Sequence, residues 1–151
     1  MKKISYAQNF EDILLLRAFR EQKKGFYIDI GSHHPVEDSV TYNFYKIGWR
    51  GINIDPDESF NELYKDLRPY DLMINTTISN ESKNDLDFYL VRGTGLSTFN
   101  INTIDNNKLL FDKIKVNSKT LDEIILENNL KEKLIDLIKI DAEGYEKKII
   151  E

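Results

Sequence analysis

Apolar and polar residues change period along the chain, and the changes mark out alternating helices and strands. Residues 7–20 carry Ile13, Leu14, Leu16 and Phe19 at helical spacing, with Glu11, Asp12, Arg17 and Arg20 among them. That pattern predicts an amphipathic helix with its charges in solvent. Phe26-Tyr27-Ile28-Asp29-Ile30 predicts a short strand with an acid near its end, and Gly31 to Pro35 a turn. Residues 38–47 predict a helix with Val40, Phe44 and Ile47 inward, closed by Gly48. A second strand over 51–55 again ends in an acid. Asp57 is a good N-cap for the helix that follows, which carries Phe60, Leu63, Tyr64 and Leu67 and stops at Pro69.

Residues 72–78 predict a third strand. Leu86, Phe88 and Leu90 alternate with polar neighbours, which predicts a half-buried antiparallel strand, and residues 113–116 a further short one. Residues 92–107 are polar, contain Gly93 and Gly95, and read as a long loop or partly helical excursion. Thr120 with Glu123 forms a capping box for a helix carrying Leu121, Ile124 and Ile125. Residues 134–140 read as a near-continuous apolar strand that runs into Asp141-Ala142-Glu143-Gly144. Strands alternating with helices give an α/β fold with a mostly parallel sheet. Ligands on such sheets bind beyond the carboxyl ends of the strands. Asp29, Asp55 and Asp141 stand at or beside those ends.

A length of 151 residues is one domain's worth of chain, and one domain over 1–151 is expected. The net charge of −5, without a basic run, argues against nucleic acid as the main partner. Cysteine is absent, which excludes disulfides, thiolate metal sites and a cysteine nucleophile. No apolar run approaches the ~20 residues that span a bilayer, so no membrane partner is expected and the default setting is cytoplasmic. The oligomeric state is open.

The first strand-end loop decides between ligand classes. A dinucleotide site needs several glycines there so that the backbone can approach a pyrophosphate. Gly31 stands alone, followed by Ser32-His33-His34-Pro35, and Asp29 would repel a phosphate. S-adenosylmethionine is the better match, because it has no phosphate and carries an ammonium and a sulfonium that a carboxylate attracts. Asp55 follows Asp29 by 26 positions (55 − 29), close to the offset of ~20 at which a second-strand acid meets a ribose. Its carboxylate can accept both ribose hydroxyls.

Several stretches together resemble the FkbM family of methyltransferases. They are Ser5-Tyr6-Ala7-Gln8-Asn9-Phe10-Glu11-Asp12, residues 25–35 (GFYIDIGSHHP), residues 48–56 (GWRGINIDP), Gly93-Thr94-Gly95-Leu96-Ser97-Thr98 and residues 137–146 (LIKIDAEGYE). The resemblance implies a Rossmann-like class I methyltransferase fold and S-adenosylmethionine as methyl donor. It also implies O-methylation of a small-molecule or glycan acceptor. By position, Asp29 and Gly31 would lie at the methionine end and Asp55 at the ribose, with Ser32 and Pro56 among the cofactor-binding positions. Thr77 and Ile78 would lie near adenine, and Gln8 joins the cofactor-binding positions. Family members continue with further strands, so truncation after the fourth core strand is expected.

Methyl transfer to a hydroxyl needs a base to take its proton. His33, His34, Asp141 and Glu143 are the candidates, with turn-forming and capping roles as their alternative. No metal is expected, since no HxxE-type spacing supports one. A non-catalytic cofactor-binding or interaction fragment, and a nucleotide-linked oxidoreductase, are the competing readings.

Overall fold

The computed structural model describes residues 4–102, 104 and 109–150. In chain order its elements are α1 (Glu11–Ala18), β1 (Phe26–Ile30), α2 (Tyr42–Lys46), β2 (Arg50–Ile54), a 3₁₀ turn (Glu58–Phe60) and α3 (Asn61–Leu67). Then come β3 (Leu72–Ile74), β4 (Thr77–Ile78), β5 (Lys83–Leu90), β6 (Asp112–Lys119), α4 (Leu121–Glu127), β7 (Leu137–Ile140) and α5 (Glu146–Ile150). They divide into two compact units, Met1–Asn75 with Leu134–Ile140 and Thr76–Lys133 with Asp141–Glu151.

The first unit is an α/β layer around a four-stranded parallel sheet of order β3-β2-β1-β7. The order is that of a Rossmann-like methyltransferase, with the first and fourth core strands adjacent. Strands covered on both faces read as unbroken apolar runs, and Tyr27 to Ile30 and Gly51 to Ile54 are buried accordingly. Tyr27, Phe44 and Trp49 centre the core, packed by Leu15, Leu16, Phe19 and Leu137. Phe19 and Phe44 meet Trp49 edge-on at 5.1 and 4.8 Å between ring centroids, a favoured aromatic geometry.

Several boundaries differ from the sequence expectation for identifiable reasons. α1 is shorter, and its polarity is partly inverted: Leu14 is 60% exposed while Asp12 is fully buried. The Asp12 carboxylate accepts from Ser5 Oγ, the Tyr6 and Ile13 amides and Asn43 Nδ2, at 2.6–2.8 Å. It therefore ties the N-terminal segment to α2 instead of facing solvent. α2 starts only at Tyr42, because Pro35, Ser39 and Thr41 are engaged by Arg68. Ile47 lies past its end and is exposed, as in part are Leu63 and Leu67. The expected third strand breaks at Asn75: Leu72–Ile74 pairs with β2, whereas Thr77–Ile78 pairs with β6 in another sheet. β7 starts at Leu137, since the Asp136 carboxylate accepts from the Phe26 amide and Gln22 Nε2, and Leu134 is exposed.

The second unit is a three-stranded sheet in which β6 pairs antiparallel with β5 and parallel with β4. Phe88, Leu90 and Val116 form its core with Leu86, Phe99 and Ile114. The predicted alternation on β5 and the Thr120–Glu123 capping box are both present. In the polar stretch after β5, Gly93 and Gly95 take left-handed φ angles of 71° and 72°. Positions 103 and 105–107 of that stretch lie outside the described residues. Among the described residues no helix is long and apolar enough to cross a membrane.

Gly51 is where the parallel sheet tolerates no side chain. A Cβ there would sit 2.2 Å from the Tyr27 ring and 2.4 Å from the Tyr27 carbonyl oxygen. Gly51→Ala is expected to destabilise the protein by about 3 kcal/mol through overpacking. At this chain length that lowers the melting temperature by roughly 6–12 °C. Thermal denaturation measures it, and an unchanged melting temperature would contradict the packing described.

Candidate functional site

Because β1 and β2 are parallel and in register, with Ile30 opposite Ile54, Asp29 and Asp55 stand at the same end of the sheet. The chain turns over that end at once. Gly31 takes φ 69°, a left-handed conformation that costs glycine little, and the amides of Gly31 and Ser32 both donate to the Ile54 carbonyl at 2.9 and 3.1 Å. His33 also takes a positive φ of 49°, which costs a residue with a Cβ about 1–2 kcal/mol. Its amide donates to Asp55 Oδ2 at 2.9 Å, and the Asp57 amide donates to Asp55 Oδ1 at 2.9 Å. Asp55 thereby holds the loop on its own strand and the loop above the neighbouring strand. Burial pushes its carboxyl above the usual aspartate range, and the two amides only partly oppose that. Pro56 lies between the residues of this clasp.

Asp29 is almost wholly buried and sits in a different net of contacts. Thr41 Oγ1 donates to its Oδ2 at 2.6 Å. Lys139, its register partner on β7, brings Nζ to 3.2 Å from Oδ1. That contact is ionic but lacks hydrogen-bond alignment, so Oδ1 is a buried acceptor with no donor directed at it. The same Nζ donates to the Gly31 carbonyl at 2.5 Å. Ser32 Oγ is likewise buried without a hydrogen-bond partner. Buried polar atoms are normally paired, so two such atoms at one strand end mark a place where a ligand's polar groups can be received.

Behind this end lies a second, fully buried charge. Arg68 and Asp71 have no exposed side-chain surface. Arg68 Nε donates to Asp71 Oδ2 at 2.8 Å, and Nη2 donates to the Tyr27 hydroxyl at 2.6 Å and to Thr41 Oγ1 at 3.1 Å. Nη1 reaches the Pro35 carbonyl and Ser39 Oγ, each at 3.3 Å. The Tyr27 hydroxyl passes its own proton to Asp71 Oδ2 at 2.5 Å, and burial raises its pKa far above the tyrosine norm. One guanidinium thus spans α3, β1 and the loop from Pro35 to Thr41.

The remaining sequence candidates have distinct settings. His34 Nδ1 accepts from the Val36 and Glu37 amides at 3.1 and 2.9 Å, which fixes the ring and leaves that nitrogen committed to the backbone. Burial lowers its pKa, so its neutral form is favoured. The His33 ring lies 4.6 Å from that of Phe60. Gln8 is exposed and donates to Asp38 Oδ2 at 3.2 Å. The other four belong to the second unit. Thr77 and Ile78 are buried on β4, and Thr77 Oγ1 donates to the Asn117 carbonyl at 3.1 Å. Asp141 and Glu143 lie in the turn before α5, with Glu143 at φ 45° and its carbonyl accepting from Thr98 Oγ1 at 3.2 Å. Glu146 closes that turn by accepting from the Ala142 and Gly144 amides. The second unit also carries a groove of about 250 Å³ bordered by Phe99, Tyr145, Glu81, Lys83, Asp87 and Lys148, and none of the candidates lines it. Among the described residues no cluster of three or more histidines and carboxylates could hold a metal.

Thr41, Arg68 and Lys139 escaped the sequence reading. Only Lys139 carried a signal: a lysine inside the apolar run Leu137-Ile138-Lys139-Ile140 is rarely buried without a charged partner.

Arg68→Met would leave Asp71 buried without its cation, which costs about 3–5 kcal/mol. A drop of roughly 10 °C in melting temperature is expected. Arg68→Met with Asp71→Asn should recover part of the loss. A double variant no more stable than Arg68→Met alone would show that the two residues are not coupled.

A family model for the methyltransferase FkbM domain matches residues 29–151. No curated protein and no solved structure matches the chain.

Proposed function

Because the chain belongs to the FkbM methyltransferase family, we propose that it binds S-adenosylmethionine at the carboxyl ends of β1 and β2 and transfers the methyl group to a hydroxyl oxygen of a small-molecule or glycan acceptor. The observation that carries the reading is the pairing of Asp29 and Asp55 at one end of the sheet, over a loop with a single glycine. The residues present suit this cofactor. Asp29 Oδ1 and Ser32 Oγ are buried polar atoms awaiting partners, one an acceptor and the other able to donate. Each Asp55 oxygen accepts one amide and keeps a second lone pair for a ribose hydroxyl. Lys139 balances the charge of Asp29, so Asp55 is the carboxylate that disfavours a pyrophosphate and favours a cationic nucleoside.

When bound, the cofactor supplies a methyl group already activated by its sulfonium. The chain's own task is to hold the acceptor in line and to take the hydroxyl proton. His33, Asp141 and Glu143 are the bases this reading retains. It gives His34 a structural part, since a neutral imidazole whose Nδ1 is taken by two amides has no lone pair left for a substrate proton. Thr77 and Ile78 at the adenine, and Pro56 and Gln8 among the cofactor-binding positions, remain part of the proposal. A cytoplasmic setting without a nucleic-acid partner belongs to it as well, on charge and composition alone.

Calorimetry with S-adenosylhomocysteine and with NAD tests the cofactor. The first should bind and the second should not. Asp55→Ala should weaken binding by at least about ten- to a hundredfold, the worth of one charge-assisted hydrogen bond. Binding of NAD in place of the homocysteine compound would overturn the reading.

The raised pKa of Asp55 adds a pH dependence whose two signs oppose each other. Its contribution to stability is fully present below the ordinary aspartate pKa of about 3.9 and is lost as pH rises through the folded value. Binding needs the carboxylate, so affinity should fall as pH drops from neutral towards that range, starting above the pH expected of an exposed aspartate. Titrations across that window, with Asp55→Asn as a variant lacking this step, measure it.

Transfer to oxygen is tested by incubating the protein with methyl-labelled S-adenosylmethionine and hydroxylated acceptors. Labelled methyl ethers are the expected product. Cofactor binding with no transfer to any hydroxyl compound would favour a binding role over catalysis.

A further inference from the structure

We infer that Lys139 determines the preference for nucleosides that carry an amino-acid end, by engaging the carboxylate of that end while Asp29 and the Gly31 carbonyl receive its ammonium. This rests on the cofactor reading above and deepens it, because the family resemblance assigns the end to Asp29 and its loop alone.

A free amino-acid group is a zwitterion, with ammonium and carboxylate held on one carbon. A lone buried carboxylate attracts one half of it and repels the other. A carboxylate and an ammonium side by side are complementary to both halves, and they present no net charge when the site is empty or filled. The sheet places such a pair at the required strand end: Asp29 and Lys139 are register partners on adjacent parallel strands. Their charged atoms are 3.2 Å apart, with side-chain exposures of 1% for Asp29 and 16% for Lys139.

Asp29 Oδ1 has no hydrogen-bond donor aimed at it even though the ammonium is close, and Ser32 Oγ in the adjoining loop has no partner. The Lys139 ammonium bonds the Gly31 carbonyl at 2.5 Å and lies 3.5 Å from that of Ile30. A lysine ammonium has three donors on a rotating bond. Charge-assisted hydrogen bonds to anionic oxygens are roughly twice as strong as neutral ones. An arriving carboxylate therefore competes well against a peptide carbonyl for this ammonium, and the exchange leaves the Gly31 carbonyl to receive the ligand's ammonium. The ion pair leaves Asp29 Oδ1 without an aligned donor, so that oxygen's bonding capacity is still open to a ligand.

The test compares S-adenosylhomocysteine with 5′-methylthioadenosine, which keeps the nucleoside and the thioether but lacks the amino-acid end. Calorimetry on the wild-type chain should show S-adenosylhomocysteine binding at least about tenfold more tightly. Lys139→Met should bind methylthioadenosine as the wild type does and lose about tenfold or more for S-adenosylhomocysteine, closing the gap. Lys139→Arg, which keeps the charge, should restore much of the difference. If Lys139→Met alone fails to fold, Asp29→Asn with Lys139→Met removes both charges together and should also bind the two ligands alike. A structural role for Lys139 would weaken both ligands equally, and a variant that keeps the wild-type ratio would overturn the inference while leaving the cofactor reading intact. Equal affinity of the wild type for both ligands would overturn it as well, and wild-type binding of neither ligand would remove the cofactor reading too.

Discussion

Arg68 is a guanidinium with no exposed surface, and a guanidinium does not shed its proton to escape burial. The first unit has to surround it with acceptors, and the way it does so fixes much else. Asp71 supplies the counter-charge and the Tyr27 hydroxyl relays between the two. The Asp71 carboxylate also accepts from the Gly51 amide and Asn53 Nδ2, which ties the pair to β2. The remaining donors of Arg68 go to Pro35, Ser39 and Thr41, all in the loop that follows the first strand end. Thr41 then uses its own proton on Asp29. A charge that cannot be lost is in this way linked, bond by bond, to the carboxylate at the end of β1.

The two strand-end acids divide the work. Asp55 is an organiser of backbone, each of its oxygens taking an amide from a turn. Those hydrogen bonds offset the left-handed conformation of His33. Asp29 takes no backbone amide; its contacts are a hydroxyl and an ammonium. A carboxylate clamped by amides has its position set by the chain, whereas one that meets an ammonium on a flexible side chain can exchange that contact for a ligand. In the proposed site that difference would suit the first to the fixed hydroxyls of a ribose and the second to a charged, flexible end.

The parts of this arrangement legible in the sequence were those written in periodicity and punctuation. The parallel sheet, the strand-end positions of Asp29 and Asp55, the turn at Gly31, the alternation on β5 and the Thr120 capping box all follow from local rules. What escaped was long-range polar pairing. Asp12 and Arg68 sit in helical stretches where charged residues read as a solvated face, and nothing nearby in sequence announces that Asn43 or Tyr27 will meet them. The break of the third strand was hidden for the same reason. Residues 72–78 look continuous, but the Asn75 side chain turns back to the Asp55 carbonyl, and the next residues, Thr76 and Thr77, bond Asn117, some forty positions on.

Lys139 shows what can be recovered from such cases. A charge inside an apolar parallel strand is costly unless its neighbour in the ladder answers it, and in a parallel sheet that neighbour is one residue on one strand. Once β1 and β7 are known to be adjacent, register alone pairs Lys139 with Asp29. The acid that periodicity placed at the strand end and the lysine that periodicity could not explain are therefore two halves of one feature. Pairing solves the burial problem of each. Asp29 Oδ1 is left without an aligned donor, so the solution is incomplete, and an acceptor left open beside an ammonium is where the proposed ligand, carrying both charges, would gain most.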